Sequence, residues 1–198
     1  MNITDTLDKR YKTKNRKPLK NMMELKNFDK IRVKGDGSCL YRAIAQSLNK
    51  SFSNNYLLDK KEELIWSKKL RKIALEEICK KNGSTKPVKG FNITYKQSIL
   101  SELKSKRVSA HKNIFSKYCS CQKGNKKTNE CRPCSIFLWG GFNEINAISK
   151  MLNINIYVYV KNKDGTFDKV SIKQKNNKKI IYLILNNNHY SSLFHKNH

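Results

Sequence analysis

The strongest constraint on how this chain can fold is a change in its apolar pattern. Helical spacing dominates up to about residue 152, and short runs of β-branched and aromatic residues fill most of the remainder. One short strand, Ile31 to Val33, comes first and runs into a Gly-flanked turn. Leu40, Ile44 and Leu48 then share one helical face. Residues 63–82 predict a second amphipathic helix with Leu64, Ile65, Leu70, Ile73, Ala74 and Ile78 as its buried stripe, stopping at Lys80, Lys81 and Asn82-Gly83. Residues 95–106 predict a third helix, and residues 141–152 another with Ile145, Ile148 and Leu152 inward. Strands are expected at 154–160, 169–173, 180–185 and 189–194, with turns at Lys163 to Gly165 and Asn186 to Asn188. One strand, several helices and then a run of strands describe an α+β protein, a small β-sheet flanked by helices, rather than a doubly wound sheet. No internal repeat is present.

A chain of 198 residues accommodates one domain. The reading places it at 28–198, behind a basic, mobile tail at 1–27. The formal net charge of +27 has two readings. It can attract anions such as nucleic acid, acidic membranes or acidic proteins, or it can reflect a drift toward Lys, Asn and Ile that selects no partner. No apolar run is long enough to span a bilayer, and the N-terminus has no signal-peptide core. With six cysteines unevenly spread, Cys39 and Cys79 standing alone, the default is a reducing, intracellular and cytoplasmic setting. The segment KRYKTKNRKPLK is either a solvated tail or a patch for nuclear import or nucleic acid.

The turn GDGSC ahead of the first helix is where chemistry could sit. A thiol is nucleophilic as thiolate, and a helix N-terminus or a neighbouring histidine favours that anion. Cys39 opens the helix, while Gly35 and Gly37 can aim several backbone N–H groups at one point, as an oxyanion hole requires. The alternative is a small buried core cysteine. Of the four histidines, His198 and His195 lie at the end and His111 in a polar stretch. His189 opens a strand after a strongly apolar run, so a rigid element would carry it to the rim of the sheet.

Three blocks carry a resemblance. DGSCLYRAI, Asp36 to Ile44, resembles the nucleophile motif of the ovarian-tumour (OTU) family of deubiquitinases. WGGFNEI, Trp139 to Ile145, is similar to that family's Trp-Gly-Gly segment, and NHYSSL, Asn188 to Leu193, resembles its His-Tyr motif. The blocks fall in family order between Ile31 and Phe194. The resemblance implies an OTU-like, papain-type cysteine protease fold and a thiol isopeptidase. Cys39 would be nucleophile and His189 the base, with Asp36 shaping the loop that presents oxyanion donors and the Gly37 and Cys39 N–H groups supplying them. It puts Trp139, Gly140, Gly141, Glu144 and Tyr190 near the substrate, Trp139 as packing and Glu144, with Asp36, as a carboxylate for ubiquitin's basic tail. Where the family often has Asp or Asn two residues after the histidine this chain has Ser191, a weaker acceptor, and Asn188 is the alternative orienter. The implied partners are ubiquitin or a ubiquitin-like protein and its conjugates, met by a monomer. The small build and drifted composition fit a viral or parasite enzyme working in a host-cell cytoplasm.

Cys119, Cys121, Cys131 and Cys134 crowd into an expected insertion at about 117–136. They could supply four thiolates for structural Zn2+, which is the favoured reading, stand as unliganded loop residues, or pair as disulfides on isolation. Catalysis itself needs no cofactor. Two other functions compete with the isopeptidase: a catalytically weak or inactive ubiquitin-binding module, and a zinc-stabilised nucleic-acid-binding protein. The aromatics lie in apolar strands and helices rather than among the basic runs, which argues against the last.

Overall fold

A computed structural model describes residues 24–53, 56–80, 87–88, 92–106, 113–123, 139–175 and 177–196. Most of the basic tail, His111, Cys131 and Cys134 lie outside them. In chain order the elements are β1 (Phe28–Arg32), α1 (Cys39–Leu48), α2 (Lys60–Ile78), α3 (Tyr95–Ser105), α4 (Ile114–Gln122), α5 (Phe142–Leu152), β2 (Asn155–Lys161), β3 (Phe167–Ile172), β4 (Ile180–Asn186) and β5 (His189–His195). The α+β layout read from the sequence holds.

The five strands form one sheet in the order β1-β5-β4-β2-β3, with β2 and β4 parallel and every other pair antiparallel. Both faces of the central strands are apolar, which explains why the run at 180–185 shows no alternation. Ile181, Leu183 and Leu185 face the main core under the helices, together with Ile156, Val158, Val160 and Tyr190. Ile184 faces a second cluster with Phe28, Tyr159 and Leu193, against which Leu25 packs. Glu24 pairs with Lys169 at 2.5 Å, so the last residues before β1 are engaged with the sheet.

The hairpin between β4 and β5 positions the histidine. Asn186 is paired with His189, and the two residues between them, Asn187 and Asn188, have φ of 48° and 62°. Two consecutive left-handed residues match the twist of a two-residue hairpin, and asparagine tolerates that conformation better than most side chains. From there β5 runs beside β1 and packs on α1, where Ser192 Oγ donates to the Ala43 carbonyl at 2.7 Å.

Local signals also fix the helix starts. Asp59 accepts the N–H groups of Lys61 and Glu62, and Glu62 reaches back to the Asp59 N–H; Thr94 and Gln97 do the same for α3. Each cap is worth about 1 kcal/mol. The stripe expected on α2 is partly wrong. Leu70, Ala74 and Ile78 are buried, but Leu64 and Ile65 are 38% and 45% exposed. The inward face is instead led by Glu63 and Ser67, because Arg42 inside the domain requires a carboxylate and Glu63 supplies it at 2.8 Å.

Candidate active site

The loop 33–38 leaves β1 and delivers the chain to α1. It has no regular hydrogen bonding, so side chains must hold it. Asp36 is gripped by Arg42, Nε to Oδ1 at 3.2 Å and Nη2 to Oδ2 at 2.5 Å, and Asp36 Oδ1 also accepts the Ser38 N–H at 3.1 Å. Burial alone would raise the Asp36 pKa, but the Arg42 fork outweighs it and holds the carboxyl below its ordinary value. Gly37 sits at φ 80°, where glycine alone is free of strain.

Cys39 is the first residue of α1 and, among the described residues, the one free cysteine. The backbone N–H groups of Tyr190, Leu40 and Cys39 itself act on the sulfur and favour its anion. Burial nevertheless pushes the thiol above its ordinary value, and the charge on Asp36 adds to the rise. The helix N-terminus was expected to favour the thiolate; desolvation outweighs that effect, and the resting group is a neutral thiol.

His189 begins β5, half-buried, with Nδ1 and Cε1 of its ring 3.5 and 3.6 Å from where a side chain on Gly35 would begin. The Val33 backbone acts on the ring and favours its protonated form, and Nε2 is buried with no partner. No hydrogen bond joins Nε2 to the Cys39 sulfur. Burial lowers the imidazole pKa and the positive charge of Arg32 lowers it further, against the Val33 backbone, so the ring is neutral near pH 7.

The other expected site residues divide. Gly140 presses on the first turn of α1: a Cβ there would meet Leu40 Cδ2 at 2.6 Å. Gly141 donates its N–H to Glu144 Oε2 at 2.5 Å, so Glu144 caps α5 from inside and is 2% exposed, turned away from any open groove. Burial and the nearby Glu102 raise the Glu144 pKa to about 7. Tyr190 is buried in the main core, and Trp139 is half-buried. Ser191 is buried opposite Arg32 and Ile184, and Asn188 is exposed in its turn. Among the described residues neither hydrogen-bonds the imidazole. The Val33 backbone, which no sequence pattern singles out, is the backbone group that acts on the ring.

The zinc reading is corrected. Among the described residues no group of three or more His, Cys, Asp or Glu is arranged to hold a metal. Cys119 is joined by a disulfide to Cys79, which therefore does not stand alone, and Cys121 is also disulfide-bonded. Sulfur tied up in a disulfide cannot serve as a thiolate ligand.

A free thiol at a helix N-terminus, covered by the strand that brings in a neutral histidine, is the layout of a cysteine-protease-type domain. A family profile described as OTU-like cysteine protease matches residues 34–192. The chain belongs to that family, and membership implies cysteine-protease activity. Solved structures agree on the fold. The viral OTU domain protease from Taggert virus is 14% identical with a TM-score of 0.52, over 88% of this chain and 84% of that one. The protease from Dera Ghazi Khan virus is 16% identical with a TM-score of 0.51, over 86% and 82%. The Hazara virus OTU bound to ubiquitin is 16% identical with a TM-score of 0.50, over 86% and 83%. No curated protein matches the chain in sequence. No helix among the described residues is long and apolar enough to cross a membrane.

Proposed function

We propose that this chain is a thiol isopeptidase that releases ubiquitin or a ubiquitin-like protein from its conjugates, with Cys39 as nucleophile and His189 as base. The observation that carries the reading is that Cys39 opens α1, which packs on β5, the strand that begins with His189, with the Tyr190 backbone N–H acting on the sulfur. It sets the thiol beside the backbone of the residue directly after His189. The Hazara virus OTU, whose structure is bound to ubiquitin, supports the choice of substrate.

In this mechanism both groups begin neutral. His189 takes the proton from Cys39 Sγ as sulfur bonds to the carbonyl carbon that ends the modifier. The carbonyl oxygen becomes an oxyanion. The Ser38 N–H is occupied by Asp36, and the N–H groups of Gly37 and Cys39, on either side of it, receive the oxyanion. The tetrahedral carbon then expels the lysine amine, which collects the proton from His189, and a thioester remains. Water adds to the thioester with His189 again as base, and sulfur leaves with that proton.

A ubiquitin probe bearing a C-terminal electrophile tests the proposal. The expected result is a covalent adduct on Cys39, absent in Cys39→Ala and much slowed in His189→Ala. A folded wild-type chain that binds the probe without reacting would make the domain a binding module instead.

A further inference from the structure

We propose that Arg71 is a positioning residue for the reaction, holding the Gly37–Ser38 peptide so that the loop's free N–H groups face the developing oxyanion. The inference rests on the isopeptidase reading.

A peptide group is planar, so its C=O and its N–H point in opposite directions and turn together. In the Gly37–Ser38 peptide both ends are held. The Ser38 N–H donates to Asp36 Oδ1 at 3.1 Å, and the Gly37 carbonyl accepts from Arg71 Nη2 at 3.2 Å. The same Nη2 donates to Ser38 Oγ at 3.0 Å. One step further, the Ser38 carbonyl accepts the Arg42 N–H at 3.0 Å, which fixes the peptide that carries the Cys39 N–H. The loop needs these restraints because Gly37, at φ 80°, can also visit conformations of opposite sign at little cost, and such a change in φ would re-aim the Gly37 N–H relative to the Cys39 N–H.

Arg71 is itself anchored outside the loop. It projects from α2 and donates through Nη1 to Gln122 Oε1 at the end of α4. Its guanidinium lies 4.3 Å from the centroid of the Tyr41 ring, and the Tyr41 hydroxyl reaches the same Gln122 oxygen at 3.3 Å. Three helices therefore converge on one planar cation whose Nη2 faces the loop. A planar fork suits two fixed acceptors; a lysine ammonium could follow one of them. Arg71 touches neither the sulfur nor the imidazole, so its contribution is to geometry alone.

The role separates two reactions of one thiol. Attack on a carbonyl builds an oxyanion and depends on the donors, whereas alkylation by iodoacetamide displaces iodide and builds none. The test compares Arg71→Met, Arg71→Lys and wild type for turnover of a ubiquitin C-terminal amide fluorophore and for alkylation of Cys39, with thermal unfolding recorded for each. For Arg71→Met, kcat is expected to fall on the order of 100-fold, the loss seen when one oxyanion donor is removed. KM and the alkylation rate should stay within about threefold, far short of the loss that a missing oxyanion donor brings. Arg71→Lys should lose less, and it carries the test if Arg71→Met does not fold. Turnover by a folded Arg71 variant within threefold of wild type overturns the inference alone. Parallel loss of turnover and alkylation also overturns it, because that is what general loosening would do. A wild type that is alkylated but never turns over refutes the isopeptidase reading and this inference with it.

Discussion

Arg42 and Asp36 form a two-point ion pair, with Nε to Oδ1 at 3.2 Å and Nη2 to Oδ2 at 2.5 Å. Six residues apart in sequence, they tie the loop before Cys39 to the helix after it. The remaining Arg42 Nη1 holds buried Glu63 at 2.8 Å, and Gln46 takes the other Glu63 oxygen at 2.8 Å. Replacing Arg42 by methionine would leave Glu63 buried and without its cation. The expected cost is about 3–5 kcal/mol in urea unfolding, the range for breaking a buried pair from one side. Arg42→Lys should recover only part of it, since one ammonium cannot span both carboxylates.

A lowered imidazole and a raised thiol set the pH profile. His189 must be neutral to accept a proton, so the acid limb of kcat/KM should lie below the ordinary histidine value of 6.5. After burial, the largest cause of that depression is the positive charge of Arg32. Removing it in Arg32→Gln makes the imidazolium easier to form, raises its pKa and moves the acid limb to higher pH by a few tenths of a unit at low salt. Unassisted alkylation of Cys39 should still be climbing at pH 9, because the thiol is held above its ordinary 9.0. An alkylation rate already flat at pH 7 would refute a neutral resting pair.

Glu144 gives stability its own pH dependence. Its folded pKa, about 7, stands above the ordinary 4.5, so the native state favours the protonated carboxyl. That stabilisation is complete below pH 4.5 and is lost as pH rises through 7, an effect on the order of 3 kcal/mol. Unfolding in urea at pH 5 and pH 8 should show it. Glu144→Gln keeps an acceptor for the Gly141 N–H and should flatten the difference.

Gly140 is the tightest contact beside the thiol. A methyl there would stand 2.6 Å from Leu40 Cδ2 and 3.3 Å from Leu40 Cβ, next in sequence to Cys39. Gly140→Ala should destabilise by about 1–3 kcal/mol, as overpacked cores do. Its loss of kcat should exceed what the unfolded fraction explains, because Leu40 cannot yield without shifting the start of α1.

The frame of the molecule was legible because its signals are local. Apolar spacing gave α1, α5 and the late strands, and Asn186 to Asn188 marked the hairpin that aims His189. What escaped depends on partners far away in the chain. Leu64 and Ile65 looked inward by their chemistry, but the position facing the core went to Glu63 because Arg42 lies opposite it. Glu144 looked like a surface carboxylate until its capping bond to Gly141 turned it inside. Arg71 sits among lysines on α2 with nothing in sequence to set it apart; its meeting with Gly37, Ser38 and Gln122 exists only in three dimensions. Cysteine count likewise suggested a metal cluster and missed a bond spanning 40 residues.

The Cys79–Cys119 bond joins the end of α2 to α4, the helix whose Gln122 steadies Arg71. Closing a loop of that length contributes about 2–4 kcal/mol. Dithiothreitol, added to protect the nucleophile from air, therefore attacks the brace of the same molecule. Melting temperature should drop on reduction while Cys39 becomes fully available. An assay buffer chosen for the sulfur that reacts would thus be weakening the scaffold that aims it, and freshly prepared, unreduced protein should outlast the reduced form during turnover.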